Sequence, residues 1–119
     1  MARRDPTCIF CRIVAGEIPA TVVHETATTL AFRDIDPKAP VHVLVVPVAH
    51  LENAAATDSD DGARSLAAVI RLSVQVARQL GLEESGYRLV LNVGKLGGQS
   101  VGHLHVHVLG GRQMAWPPG

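Results

Sequence analysis

Residues 103–109 read His-Leu-His-Val-His-Val-Leu, an alternation of histidine and aliphatic residues that repeats every two positions. Strand side chains point to opposite faces in turn, so a strand over Leu104–Leu109 is expected, with Leu104, Val106 and Val108 on an apolar face. His103, His105 and His107 then share the other face. Three of the chain's six histidines fall within five residues. Exposed strand faces favour Thr, Lys and Glu over repeated His, so a solvated His-rich face is a weak explanation. Two chemical ones stand beside it. Neighbouring imidazoles can ligate one zinc. Alternatively, a nucleophilic imidazole can be flanked by others that bind charge and move protons.

A half-buried strand needs a partner layer, and the remaining segments supply one. Leu66, Val69, Ile70, Val74, Ala77 and Leu80 recur at helical spacing, after an N-cap at Asp58 and acidic Asp60 and Asp61, with Gly81 as the stop. A short helix is expected over residues 8–15, closed by Gly16. Val22–Glu25, Thr29–Asp34, Val41–Val48 and Tyr87–Val93 read as further strands, and the β-branched run Val41–Val48 reads as a buried one. Asp36-Pro37-Lys38-Ala39-Pro40 is a loop. Short links and one long amphipathic helix predict an α+β domain on an antiparallel sheet of about five strands.

The 119 residues suit a single domain, expected over residues 8–119 behind a flexible N-terminus at 1–7. At 47% hydrophobic and 18% charged a packed core is feasible, and at 3% aromatic it must be aliphatic. Lys plus Arg and Asp plus Glu are 11 each. That balance argues against nucleic-acid binding through bulk charge. No apolar run approaches the roughly 20 residues of a membrane span, so a cytoplasmic protein is expected. Cys8 and Cys11 form a C-x-x-C pair. In a reducing compartment this points to metal or redox chemistry, the rival readings being a thioredoxin-like couple and a free dithiol. No strand precedes Cys8, as the thioredoxin-like motif would require. Gly94–Gly102 holds four glycines in nine residues and feeds directly into the histidines. Such backbone can form an anion nest beside the candidate nucleophile.

The triad strand, preceded by Gly97-Gly98-Gln99-Ser100-Val101, resembles the histidine-triad (HIT) nucleotide-binding family. The similarity extends through Ile18-Pro19-Ala20, Leu30-Ala31-Phe32, Asp34-Ile35, Pro37-Lys38-Ala39-Pro40, Val45-Val46-Pro47, Gly86-Tyr87-Arg88 and Asn92. The tail Gly110-Gly-Arg-Gln-Met-Ala-Trp-Pro-Pro-Gly119 looks like that of the purine nucleoside phosphoramidase branch. The resemblance implies a HIT-like fold and hydrolysis of nucleoside phosphoramidates through a covalent nucleotidyl-histidine. Sister readings are a dinucleoside polyphosphate hydrolase and a non-catalytic nucleotide-binding regulator.

On this resemblance His105 matches the nucleophile, His107 the phosphate and leaving-group contact, and His42 a supporting histidine. Asn92, Gln99, Ser100 and the Val101 backbone match phosphate and leaving-group contacts, with Ser100 able to pass a proton to a departing amine. Asp34 matches the ribose carboxylate, and Phe10, Ile13, Phe32 and Ile35 form the slot for a purine. The slot side chains read equally well as ordinary core, and Asp34 as a turn residue. Cys8, Cys11, His50 and His103 match the ligands of a structural Zn²⁺ in the bacterial relatives. Strand alternation would instead turn His103 to the active site. A homodimer is implied, with the tail carrying Trp116 to the partner's site; Ala115 departs from the larger polar residue of those relatives.

Overall fold

The computed structural model describes residues 4–119. Residues 1–3 of the expected flexible N-terminus lie outside the described residues. The elements run α1 (Ile9–Val14), β1 (Val22–Glu25), β2 (Thr29–Arg33), β3 (Val41–Pro47), a 3₁₀ turn (Ala54–Ala56), α2 (Asp60–Gln79), β4 (Arg88–Val90) and β5 (Val106–Gly110). The five strands form one sheet in the order β1-β2-β3-β5-β4, and every neighbouring pair is antiparallel. This is the α+β architecture expected from the periodicities.

The sheet is covered on both faces, which is why β3 is a continuous apolar run and not an alternating one. Ala31, Val43, Val45, Val106 and Val108 pack with Val69, Leu72, Val76 and Ala77 of α2. Phe10 of α1 packs with Leu30, Phe32, Leu44 and Val46 on the opposite face. The histidine positions of β5 therefore fall on the α1 side. His107 stands opposite Leu44 in the ladder and His42 opposite Leu109. The two imidazoles are thus diagonal neighbours on one face.

Several element ends differ from the sequence reading, and three of the differences have a local reason that bears on the site. The N-cap of α2 is Ser59, not Asp58, because the Ser59 hydroxyl accepts the Gly62 amide at 3.0 Å. At the other end Gly81 takes φ +77°, the left-handed conformation that ends a helix. Strand β4 is three residues long, because beyond Val90 the chain leaves the ladder for the glycine-rich loop. Strand β5 starts at Val106, not Leu104. The Leu104 amide bonds instead to the Leu51 carbonyl at 2.6 Å, outside the sheet.

Candidate active site and metal centre

The late start of β5 resolves the fate of the three histidines. They do not share one strand face. His103 precedes the strand and its ring turns to the N-terminal cysteines, while His105 and His107 line a cavity of about 270 Å³. The driving contact is polar: His103 Nε2 donates to the Pro47 carbonyl at 2.9 Å, which holds the ring away from the cavity and leaves Nδ1 unprotonated.

That Nδ1 atom lies 3.3 Å from Cys8 Sγ, 3.5 Å from Cys11 Sγ and 3.2 Å from His50 Nδ1, with Cys11 Sγ to His50 Nδ1 at 3.4 Å. One donor atom from each of the four residues falls within 4.8 Å of all the others. A tetrahedral ion with bonds of about 2.3 Å to sulfur and about 2.05 Å to nitrogen requires N–N edges of roughly 3.3 Å and N–S edges of roughly 3.6 Å. The observed spacings fit that tetrahedron. Burial pushes His103 down to about 4, so it arrives neutral as a ligand must be. The Asp5 and Cys11 amides donate to Cys11 Sγ and Cys8 Sγ, both at 3.4 Å, as suits thiolate ligands.

Asp34, His42 and His107 form a second cluster of ligand-type atoms. Its hydrogen bonds serve a different end. The Lys38 amide donates to His42 Nδ1 at 3.0 Å, so the neutral His42 ring carries its proton on Nε2. His42 Nε2 then donates to His107 Nδ1 at 2.9 Å, with Asp34 Oδ2 at 3.4 Å. A metal at His42 Nε2 would have to expel that proton. The chain of donors fixes His107 with its own proton on Nε2, and this buried atom has no partner. His105 is fixed in the opposite tautomer. Its Nδ1 donates to the His103 carbonyl at 2.7 Å, leaving the Nε2 lone pair free. One imidazole thus offers an electron pair and its neighbour, 4.9 Å away between ring centroids, offers a proton.

Burial lowers His105 and His42 from the ordinary histidine value and pushes His107 down to about 4. His107 is therefore expected to stay neutral from pH 7 to pH 5, while an exposed histidine titrates near 6.5. Ring ¹⁵N shifts measure this directly. The unfolded chain takes up the proton that folded His107 refuses, so this residue stabilises the fold above pH 6.5. That contribution declines on acidification from about 6.5 to about 4, and urea midpoints at pH 7 and pH 5 report the sign.

The cavity walls are Phe10, Ile13, Phe32 and Leu44, joined by Ser100 and Val101, with Asp34 at one side. Phe10 meets Phe32 edge-on at 5.5 Å and the His105 ring at 5.1 Å. Ile35 borders the cavity but is fully exposed, so it forms the rim and not the wall expected for it. Asn92 lies in an adjoining hollow with His42, His107, Arg112, Pro118 and Gly119 of the same chain. The Ala115 carbonyl accepts from Arg88 at 2.8 Å, and Trp116 is 82% exposed. Gln99 borders neither hollow: its side-chain amide is bonded to protein groups. Sequence reasoning passed over the partnership of Asn53 with Gln99 (3.1 Å), 46 positions apart, for which no local signal exists.

A family model described as the HIT domain matches residues 15–114. A 14 kDa zinc-binding protein of Zea mays is 48% identical over 116 residues, spanning 97% of this chain and 90% of its own length. The crystal structure of a HIT family hydrolase from Legionella pneumophila superposes with a TM-score of 0.90 at 51% identity, covering 95% of this chain and 100% of that one. A histidine triad nucleotide-binding protein from Candida albicans gives 0.77 at 35% identity, covering 86% of this chain and 73% of that one. The chain belongs to the HIT domain family.

Proposed function

We propose that this protein hydrolyses purine nucleoside phosphoramidates through a nucleotidyl intermediate on His105. One observation carries the reading: at the end of an apolar cavity, a free His105 Nε2 stands beside the unpartnered Nε2–H of His107. The nucleotide's base would lie between Phe10, Ile13 and Phe32, with Asp34 accepting from the ribose hydroxyls. His105 Nε2 attacks phosphorus, a new N–P bond forms and the bond to the amine breaks. The amine leaves with a proton passed on by the Ser100 hydroxyl, and in the second half-reaction the proton shed by the attacking water returns to Ser100 as the N–P bond breaks. The resulting phosphoryl-imidazolium keeps its Nδ1–H on the His103 carbonyl, which offsets the new positive charge. The His107 Nε2–H and the backbone at Ser100 and Val101 stabilise the phosphoryl oxygens, with Asn92 at the leaving-group side. Water then attacks phosphorus and returns neutral His105. His42 holds the tautomer of His107.

Cys8, Cys11, His50 and His103 would hold Zn²⁺, supported by the two-sulfur, two-nitrogen donor set and its spacing. Bound there, the ion would cross-link the N-terminal turn to the ends of the two histidine-bearing loops and would supply no chemical step. A homodimer is supported by the apolar groove along Leu66, Ala67, Ile70 and Val74 of α2 and by the open edge of strand β4. Trp116 on the exposed tail is available to a second subunit. Among the described residues no helix is long and apolar enough to cross a membrane. A cytoplasmic setting, where both cysteines stay reduced, fits this metal site.

Adenosine phosphoramidate is expected to exceed the uridine analogue in kcat/KM by about tenfold, the order of discrimination an apolar pocket gives. Asp34→Asn should remove the preference for ribose over deoxyribose. Equal turnover of the two bases would remove the purine assignment. Turnover of a dinucleoside polyphosphate in preference to either amide would favour the sister activity, and binding of AMP without any turnover a regulator. Sedimentation should give twice the chain mass. Deleting residues 114–119 should leave the dimer intact while changing the preferred amine.

A further inference from the structure

The glycine-rich segment brings Ser100 and Val101 to the cavity, and a single side chain holds it there. Gln99 Oε1 accepts from the Gly94 amide at 2.9 Å and from Asn53 Nδ2 at 3.1 Å. Gln99 Nε2 donates to the Glu52 carbonyl at 2.8 Å and the Val101 carbonyl at 3.0 Å. The Gln99 amide closes the same ring onto the Gly94 carbonyl at 3.1 Å. A primary amide has two donors and two acceptor lone pairs, and here all four are used. The partners also fix its orientation, since a flipped amide would set oxygen against two carbonyls. The loop beneath is tight: a Cβ at Gly97 would come within 2.4 Å of the Val93 carbonyl. Outside the loop the staple lands on Glu52 and Asn53, two and three residues after His50. The Leu104 amide bonds to Leu51 in the same segment.

We infer that Gln99 is a positioning residue that sets Ser100 and Val101 against His105 by tying the loop to residues 52–53, without touching the ligand. The catalytic consequence rests on the hydrolytic reading above; the staple itself does not. Two near-isosteric changes test it. Gln99→Glu turns a carboxylate oxygen toward the Glu52 and Val101 carbonyls. Asn53→Asp keeps the cap, because Oδ1 still accepts the Ala55 amide. It removes the donor to Gln99 and faces it with oxygen.

With adenosine phosphoramidate, Gln99→Glu should lower kcat by roughly 10- to 100-fold, as displacement of a distant support can do, with KM little changed. Asn53→Asp should lower kcat in the same direction by a smaller factor. The double variant should lose less than the product of the two, because both act through one tie. Hydrogen exchange at the Gly94 and Gln99 amides should quicken in each single variant. A direct ligand contact for Gln99 predicts otherwise: Asn53→Asp at wild-type kcat, independent effects in the double variant, and unchanged exchange. That set of results overturns the inference. If the wild type turns over no phosphoramidate, the hydrolytic reading fails on its own. Gly94 exchange in Asn53→Asp then decides the staple: faster exchange supports it, and unchanged exchange overturns it.

Discussion

Replacing His105 with alanine is expected to cut phosphoramidate turnover by roughly 10⁴-fold or more, because the covalent route is removed as a unit. AMP binding should survive within a few fold. The His105 ring contributes only one end of a cavity whose walls are Phe10, Ile13, Phe32 and Leu44. Acid-free quenching of the wild type during turnover should trap a chain heavier by one nucleotidyl group, and the variant should show none. His107→Ala keeps the electron pair on His105 and loses the donor to the phosphoryl oxygens, so it should be slower than wild type and still form the adduct. An alanine variant at His105 that turns over near the wild-type rate would refute the nucleophile assignment.

The second large effect is on stability. Protein purified without added metal should contain one zinc per chain by elemental analysis. Cys11→Ser should lower the unfolding free energy by about 4 kcal/mol, the scale on which loss of a metal stands out among point mutations. In a chain of this size that corresponds to a fall in Tm of roughly 15 °C. A chelator should bring the wild type toward the variant and leave the variant unmoved. Zinc absent from protein grown and soaked with the metal would remove the assignment. Because Phe10 lies between the two cysteines and packs on both the His103 ring (5.9 Å) and the His105 ring (5.1 Å), KM should rise with metal loss.

Periodicity made most of the fold legible. The spacing of Leu66 to Leu80 located α2, and the β-branched run 41–48 located the strand that is buried on both faces. Where the reading shifted, tertiary hydrogen bonds had displaced a local rule. Strict alternation placed His103 beside His105, but the Pro47 carbonyl and the Leu51 carbonyl take the chain out of the ladder before Val106. Neither carbonyl carries a mark in sequence. Of the candidate metal cluster the C-x-x-C pair was legible from spacing, but its completion by His50 and His103 came only through resemblance, since His50 is 39 residues from Cys11 and no spacing rule links them. Gln99 shows the opposite limit. Its position in the motif implies a ligand contact, while two of its four side-chain bonds depend on residues 52–53, remote in sequence.

Strand β5 follows every other strand in the chain yet lies between β3 and β4. The order of synthesis is therefore the reverse of the order of support. While the first ninety residues emerge from the ribosome, β3 exposes an unpaired edge and β4 has no neighbour to bond to. The same late segment delivers His103 to the two cysteines. Sheet closure, assembly of the four-residue donor cluster and juxtaposition of the His105 and His107 rings thus coincide in a single long-range docking step, whose loop-closure cost the local hairpins do not share. Until that step the nascent chain presents the open apolar edge of β3, an aggregation hazard that a chaperone would have to cover.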